Sequence, residues 1–142
     1  MKIAVSACLM GRNCKYNGGC NRSDALIEAL ARHDVVEVCP EVAGGLPTPR
    51  PSSEIRGNRV VNTKGEDVTD AFVKGAQRCA AQCEGVDLAI MQPRSPSCGA
   101  RAVYDGTFSK NLVPGQGIFA RLLTELGVRV IDADDPVLAS IL

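Results

Sequence analysis

Ile3-Ala4-Val5-Ser6, followed at once by Ala7-Cys8, is the stretch on which the fold turns. It is short, rich in β-branched residues, and mostly apolar rather than alternating. A strand of that kind is covered on both faces, as in a parallel sheet. Three further runs share its character: Val35–Cys39, Asp87–Met91 and Val128–Ile131. Helical spacing fills the intervals. Ser23 and Asp24 open Ala25–Arg32, where Ala25, Leu26, Ala29 and Leu30 form an apolar stripe. Asp67 caps a helix over Val68–Cys83, with Phe72, Ala76, Cys79 and Cys83 on one face. Gly115 or Gln116 opens a helix through Leu126, which Gly127 ends. A short helix follows Asp135-Pro136, with proline in its first turn. Strands and helices alternate, which predicts an α/β fold: a single-domain, open, mostly parallel sheet flanked by helices. Glu54–Thr63 reads as a small hairpin insertion turning at Gly57-Asn58, and Asp105-Gly106 as a second turn.

The chain's 142 residues suit one domain, 1–142, large enough for its own core. Lys and Arg number 16, balanced by 16 Asp and Glu. A net charge of zero disfavours nucleic-acid coating and membrane-surface binding, both of which need excess cation. No apolar run approaches the ~20 residues of a membrane span. The N-terminus turns polar too soon for a secretory signal, so a cytoplasmic protein is expected. Cysteine is the anomaly. Seven is many for a cytosolic domain, and an odd number cannot all pair as disulfides. In a reducing compartment such enrichment points to metal binding or thiol chemistry, with inert buried thiols as the alternative.

Three segments break the rhythm: 7–22, 40–51 and 92–101. Irregular loops this long in a compact domain are more often functional. Cys8 lies just past the first strand, Cys39 ends the second, and Cys98 sits in the loop after the third. In a parallel sheet all three emerge at strand carboxyl ends, where open α/β sheets bind ligands. Prolines stiffen the second and third loops, and glycines allow close backbone approach. Three soft thiolates suit an iron–sulfur cluster or zinc and leave one metal position open for chemistry. Composition does not separate the two metals.

Val5-Ser6-Ala7-Cys8-Leu9-Met10-Gly11 with Tyr16-Asn17-Gly18-Gly19, then Cys39-Pro40-Glu41, Gly45-Leu46-Pro47-Thr48-Pro49-Arg50, Gly65-Glu66-Asp67-Val68-Thr69 and Ser95-Pro96-Ser97-Cys98-Gly99 occur in order. Together with Gly115-Gln116-Gly117, Leu122-Leu123 and Gly127, they resemble the thiouracil desulfidase family, long known only as a domain of unknown function. The resemblance covers essentially the whole chain. It implies an enzyme that converts a small-molecule thiopyrimidine to the oxo base and hydrogen sulfide, using a [4Fe–4S] cluster. The cluster would be held by Cys8, Cys39 and Cys98, with the substrate sulfur on the open iron and Glu41 and Ser95 catalytic. A soft thiocarbonyl sulfur matches a soft metal, and the net reaction is hydrolysis without external electrons.

Several residues remain open on sequence grounds. Ser97 rivals Ser95 for the same work. Arg50 either binds a substrate oxygen or phosphate or pins the proline loop. Cys14 and Cys20 are spare thiols that the resemblance does not select, and Cys79 and Cys83 read as core. His33, the one histidine, reads as a favourable charge at a helix end. The glycines after Cys8 lack both phosphate-loop and dinucleotide fingerprints. Two other functions stand beside the first. One is desulfuration of 4-thiouridine in tRNA, disfavoured by zero net charge and by the extra C-terminal domain of related tRNA-acting proteins. The other is a non-catalytic zinc-binding or redox-sensing module.

Overall fold

In the computed structural model, which describes residues 1–142, the chain runs β1 (Lys2–Ser6), α1 (Asp24–Ala29), β2 (Asp34–Val38), α2 (Pro40–Ala43), β3 (Ser53–Arg56), β4 (Arg59–Asn62), α3 (Thr69–Gln82), β5 (Leu88–Met91), β6 (Ala102–Tyr104), β7 (Leu112–Pro114), α4 (Ile118–Glu125), β8 (Arg129–Asp132) and α5 (Leu138–Ile141). Four of these strands form one parallel sheet in the order β2-β1-β5-β8. The central pair explains the non-alternating sequence: Ile3, Ala4 and Val5 of β1 and Leu88 to Met91 of β5 are all buried. One apolar cluster packs α3 and α4 on one face through Ala76, Cys79, Phe119 and Leu123. A second packs α1 and α5 on the other through Leu26, Leu30 and Leu138. The sheet is thus covered on both sides, in a single α/β domain. No helix is long and apolar enough to cross a membrane.

The expected hairpin forms from β3 and β4 around Gly57 and Asn58, and β6 and β7 make a second small antiparallel pair. Its connection is longer than the tight turn expected at Asp105-Gly106. The Asp105 carboxylate accepts from Thr107 N, Thr107 Oγ1 and Asn111 Nδ2, which holds a seven-residue loop, 105–111, in place. Helix α1 stops at Ala29 rather than Arg32. Buried Leu30 anchors a turn that carries the chain into β2, where Asp34 N meets Met1 O. His33 consequently lies outside the helix, with Nδ1 3.3 Å from the N-terminal nitrogen, and is not a helix-end charge. Helix α4 starts at Ile118 with Gly117 as its cap, because Gly115 is drawn off to bond Arg101 O.

The proline-rich segment after β2 is not wholly irregular: its first residues form the one-turn helix α2. This turn lies flush on α3 through two glycines. A Cβ at Gly75 would sit 1.8 Å from Pro40 O, and one at Gly44 would sit 2.0 Å from Ala71 O. No other residue type allows that approach, which fixes where Cys39 and Glu41 stand.

Candidate active site

Strand order reverses direction between β1 and β5, and the crevice at the carboxyl ends of such strands is where open α/β sheets take ligands. Three loops meet there. After β1 the chain makes a 3-10 turn over Ala7–Met10, closed by Gly11 at φ 96°, and buries Cys8. Asn21 N and Ser23 N return to bond Cys8 O and Leu9 O, so the loop between them projects over the crevice as a closed excursion. Cys39 caps α2 directly after β2. Ser6 Oγ accepts from Gln92 N at 2.9 Å, tying the β1 and β5 exits together. The resulting cleft, about 590 Å³, is lined among others by Cys8, Cys14, Cys39, Glu41, Ser95 and Cys98.

The Cys98 loop is a rigid fitting. Ser95 Oγ accepts from Ser97 N and Cys98 N at 3.2 and 3.0 Å. The first amides of α4 have no partners within their own helix. Here Ile118 N bonds Pro96 O, and Phe119 N and Ala120 N bond Ser97 O. The loop therefore caps the helix, and the helix holds the loop. Gly117 permits the approach, since a Cβ there would lie 2.4 Å from the Ser97 carbonyl carbon. Buried Asp132 at the end of β8 accepts from Ala100 N and Arg101 Nε, both at 2.8 Å, and fixes the loop's exit.

Glu41 lies on α2, two residues past Cys39, and is held from both sides. Arg50 Nε donates to its Oε1 at 3.1 Å, and Ser97 Oγ donates to its Oε2 at 2.8 Å. Ser97 Oγ is 3.0 Å from Ser95 Oγ. Because the Ser97 proton points to the carboxylate, Ser95 is the donor of that pair, and the hydroxyls form a directed chain from Ser95 through Ser97 to Glu41. The Arg50 side chain is only 4% exposed. It also bonds Pro47 O, Thr48 Oγ1 and Cys14 O, so its donors are aimed at protein acceptors of the proline loop and of the carboxylate.

All seven cysteines are free. Burial pushes the Cys98 thiol up to about 12, with smaller opposing help from Ser6 and Ser97. Cys39 is raised by its hydrogen bond with the Cys14 thiol and by burial. Cys14 is raised as well: its bond with Cys39 lowers it, but contact with Cys8 and burial outweigh that. A metal that takes these thiols as thiolates must displace their protons. No three Cys, His or acidic side chains converge closely enough to chelate one ion. A zinc site would place its thiolates about 2.3 Å from a single point, whereas a four-iron cluster takes each thiolate on a different iron. Soft donors spread around one cavity wall fit the larger group.

Sequence reading placed Cys8, Cys39 and Cys98 at three strand ends, and the structure brings them to one cleft with Glu41, Arg50, Ser95 and Ser97. Cys79 and Cys83 lie in the core cluster. Two features were missed. One is the pairing of Ser97 with Glu41, which are 56 residues apart. The other is Cys14, which lines the same cleft as Cys8 and Cys39 and has its carbonyl 3.8 Å from Cys39 Sγ. Its position in the same irregular loop as Cys8 was the available signal.

A doubly covered parallel sheet with free thiols, a half-buried carboxylate and a hydroxyl chain at its switch point defines a class: an α/β enzyme built around a thiolate-held metal group. More particularly, the chain belongs to the 2-thiouracil desulfurase family, whose model matches residues 3–135. The ordered sequence blocks implied the same family. The chain is similar to the uncharacterised protein YbbK of Bacillus subtilis (strain 168), at 36% identity over 145 residues, covering 94% of this chain and 96% of that one. It is also similar to the solved structure of the [4Fe-4S]-dependent thiouracil desulfidase TudS, at 37% identity and a TM-score of 0.87, over 99% of each chain.

Proposed function

We propose that this chain is a [4Fe–4S]-dependent desulfidase that hydrolyses a thiouracil, as free base or close nucleoside or nucleotide, to the oxo pyrimidine and hydrogen sulfide. The observation that carries the reading is the convergence of Cys8, Cys39 and Cys98 with a hydrogen-bonded Glu41 in one cleft. Those three thiolates would hold the cluster. When bound, it supplies a soft Lewis acid that polarises the thiocarbonyl bond.

The chain's own residues then manage the protons. Glu41 takes one proton from the attacking water and passes it to the sulfur, and the second, left on the new oxygen, follows as the carbon–sulfur bond breaks. The oxygen of water ends on the ring, both its protons end on hydrogen sulfide, and no electrons are exchanged. Arg50 fixes Oε1 and Ser97 fixes Oε2, which leaves the remaining lone pairs of the carboxylate for the water. Ser95, bonded to Ser97 and steadied by two amides, orients the substrate or passes a proton along the hydroxyl chain. The low exposure of Glu41 and Arg50 strengthens each of these contacts relative to water. We place the protein in the cytoplasm, where thiols stay reduced and able to hold a metal.

The test is anaerobic purification, an absorption spectrum with iron and sulfide content, and loss of the thiocarbonyl band on adding 4-thiouracil or 2-thiouracil. Glu41→Gln is expected to keep the cluster and lose roughly 10²–10⁴-fold in turnover, the usual span for a general base. A colourless protein without turnover, or a Glu41→Gln variant as fast as the parent, overturns the reading.

A further inference from the structure

Cys14 has no part in that mechanism, yet it lines the same cleft as Cys8, Cys39 and Cys98. Its backbone is clamped there. Cys14 O accepts from Arg50 Nη2 at 2.8 Å and lies 3.8 Å from Cys39 Sγ, while Cys14 N bonds Arg12 O at 2.9 Å. Cys20, in the same loop, does not line the cleft. The two kinds of thiol in the cleft also differ. Cys8 and Cys98 are built into buried turns of the framework, whereas Cys14 is half-buried on the irregular excursion between Arg12 and Asn21.

Three protein thiolates leave one iron of a four-iron cluster without a protein ligand, and thiolate is the softest donor this cleft offers. We infer that Cys14 is an exchangeable fourth thiolate: it closes the substrate's iron position in the resting enzyme and yields it to the incoming thiocarbonyl sulfur. The inference rests on the cluster reading above. Ligation requires that the Cys14 thiol release its proton to solvent; displacement by substrate breaks the iron–sulfur bond, and the freed thiolate takes a proton back. No oxidant or reductant is involved. The same sulfur–metal affinity that binds substrate thereby protects the exposed iron between turnovers.

The test compares parent, Cys14→Ala and Cys20→Ala proteins, each reconstituted anaerobically, by electron paramagnetic resonance during titration with ferricyanide. An iron without a protein thiolate is lost first, leaving a three-iron cluster with its own signal. Cys14→Ala is expected to form that signal at least roughly tenfold faster than the parent and Cys20→Ala, equivalent to about 1.4 kcal/mol of barrier. Thiouracil binding, followed by perturbation of the cluster spectrum, should tighten in Cys14→Ala, because the competing ligand is gone. Equal rates and equal binding in all three proteins overturn the role of Cys14 and leave the enzyme reading standing. A Cys14→Ala protein that cannot hold a cluster, beside a Cys8→Ala protein that can, makes Cys14 a permanent ligand and also overturns the exchange. A parent protein that never takes up a cluster overturns both readings together.

Discussion

Gly75 lies in the middle of α3, far from the reacting atoms in sequence, and Gly75→Ala is the most informative single substitution. Two effects oppose each other. In an exposed helix, alanine in place of glycine is favourable by about 0.8–1 kcal/mol. Here the new methyl would sit 1.8 Å from Pro40 O, 2.8 Å from Gly44 N and 2.8 Å from the Pro40 carbonyl carbon. Ordinary contact begins at 3.4 Å, so α2 must retreat by roughly 1.6 Å against backbone rather than a flexible side chain. Overpacking of this sort costs about 1–3 kcal/mol, enough to cancel the helical gain or reverse it. The larger consequence is positional. Cys39 and Glu41 ride on α2, and a ~1 Å misplacement of reacting groups costs on the order of 10² in rate. The expected result is a modest change in urea midpoint together with a loss of about 10²-fold or more in turnover per cluster. A variant in which stability rises by the full helical increment and turnover per cluster is unchanged would refute the argument that these glycines set the site.

Arg50→Met keeps the bulk of the side chain but leaves the half-buried Glu41 carboxylate with one partner fewer, Pro47 O without its donor and Cys14 O with the Cys39 thiol alone. A loss of about 3–5 kcal/mol in chemical denaturation is expected, and a change below 1 kcal/mol would show that the ion pair is not desolvated as its exposure indicates. Ser97→Ala removes a hydrogen bond to a charged group, about 1.5–3 kcal/mol, and cuts the chain between Ser95 and Glu41. At equal cluster content its turnover should fall by a factor near that of Ser95→Ala, whereas a variant with parental turnover excludes a relay through this hydroxyl. The buried thiol of Cys79 is pushed up from 9.0 to about 12, by burial first and then by Cys83 and Cys39. Above the ordinary thiol value the unfolded chain gives up this proton while the folded one keeps it, so stability falls as pH rises through that window. Urea titrations on either side of pH 9.0 should show the decline, and Cys79→Ala should diminish it.

Much of the sheet was legible because burial on both faces leaves a local mark. Ile3 to Val5 and Leu88 to Met91 are apolar at consecutive positions, and no amphipathic element produces that pattern. Helix ends were less legible. Asp67 does bond Thr69 N at the start of α3, and Ser23 caps α1 as its type suggests, but the stop of α1 and the start of α4 depend on Leu30 and on the Cys98 loop, which no local window contains. The one-turn helix α2 was hidden by its prolines and glycines, which here serve its docking on α3 rather than disorder.

By itself, the amino-acid order determined a parallel α/β sheet, an excess of thiols, and the placing of three of them at strand ends or in the loop that follows a strand. It could do so because strand burial and strand-end position are properties of neighbours along the chain. Only the tertiary structure decided which groups share the cleft. Glu41 meets Ser97, Arg50 reaches the carbonyl of Cys14, and Cys14 shares a cleft with Cys8 and Cys39 because β1, β2 and β5 are adjacent and parallel. That adjacency arises from packing two helical layers onto one sheet, and contacts between loops so far apart in sequence have no periodicity from which to read them.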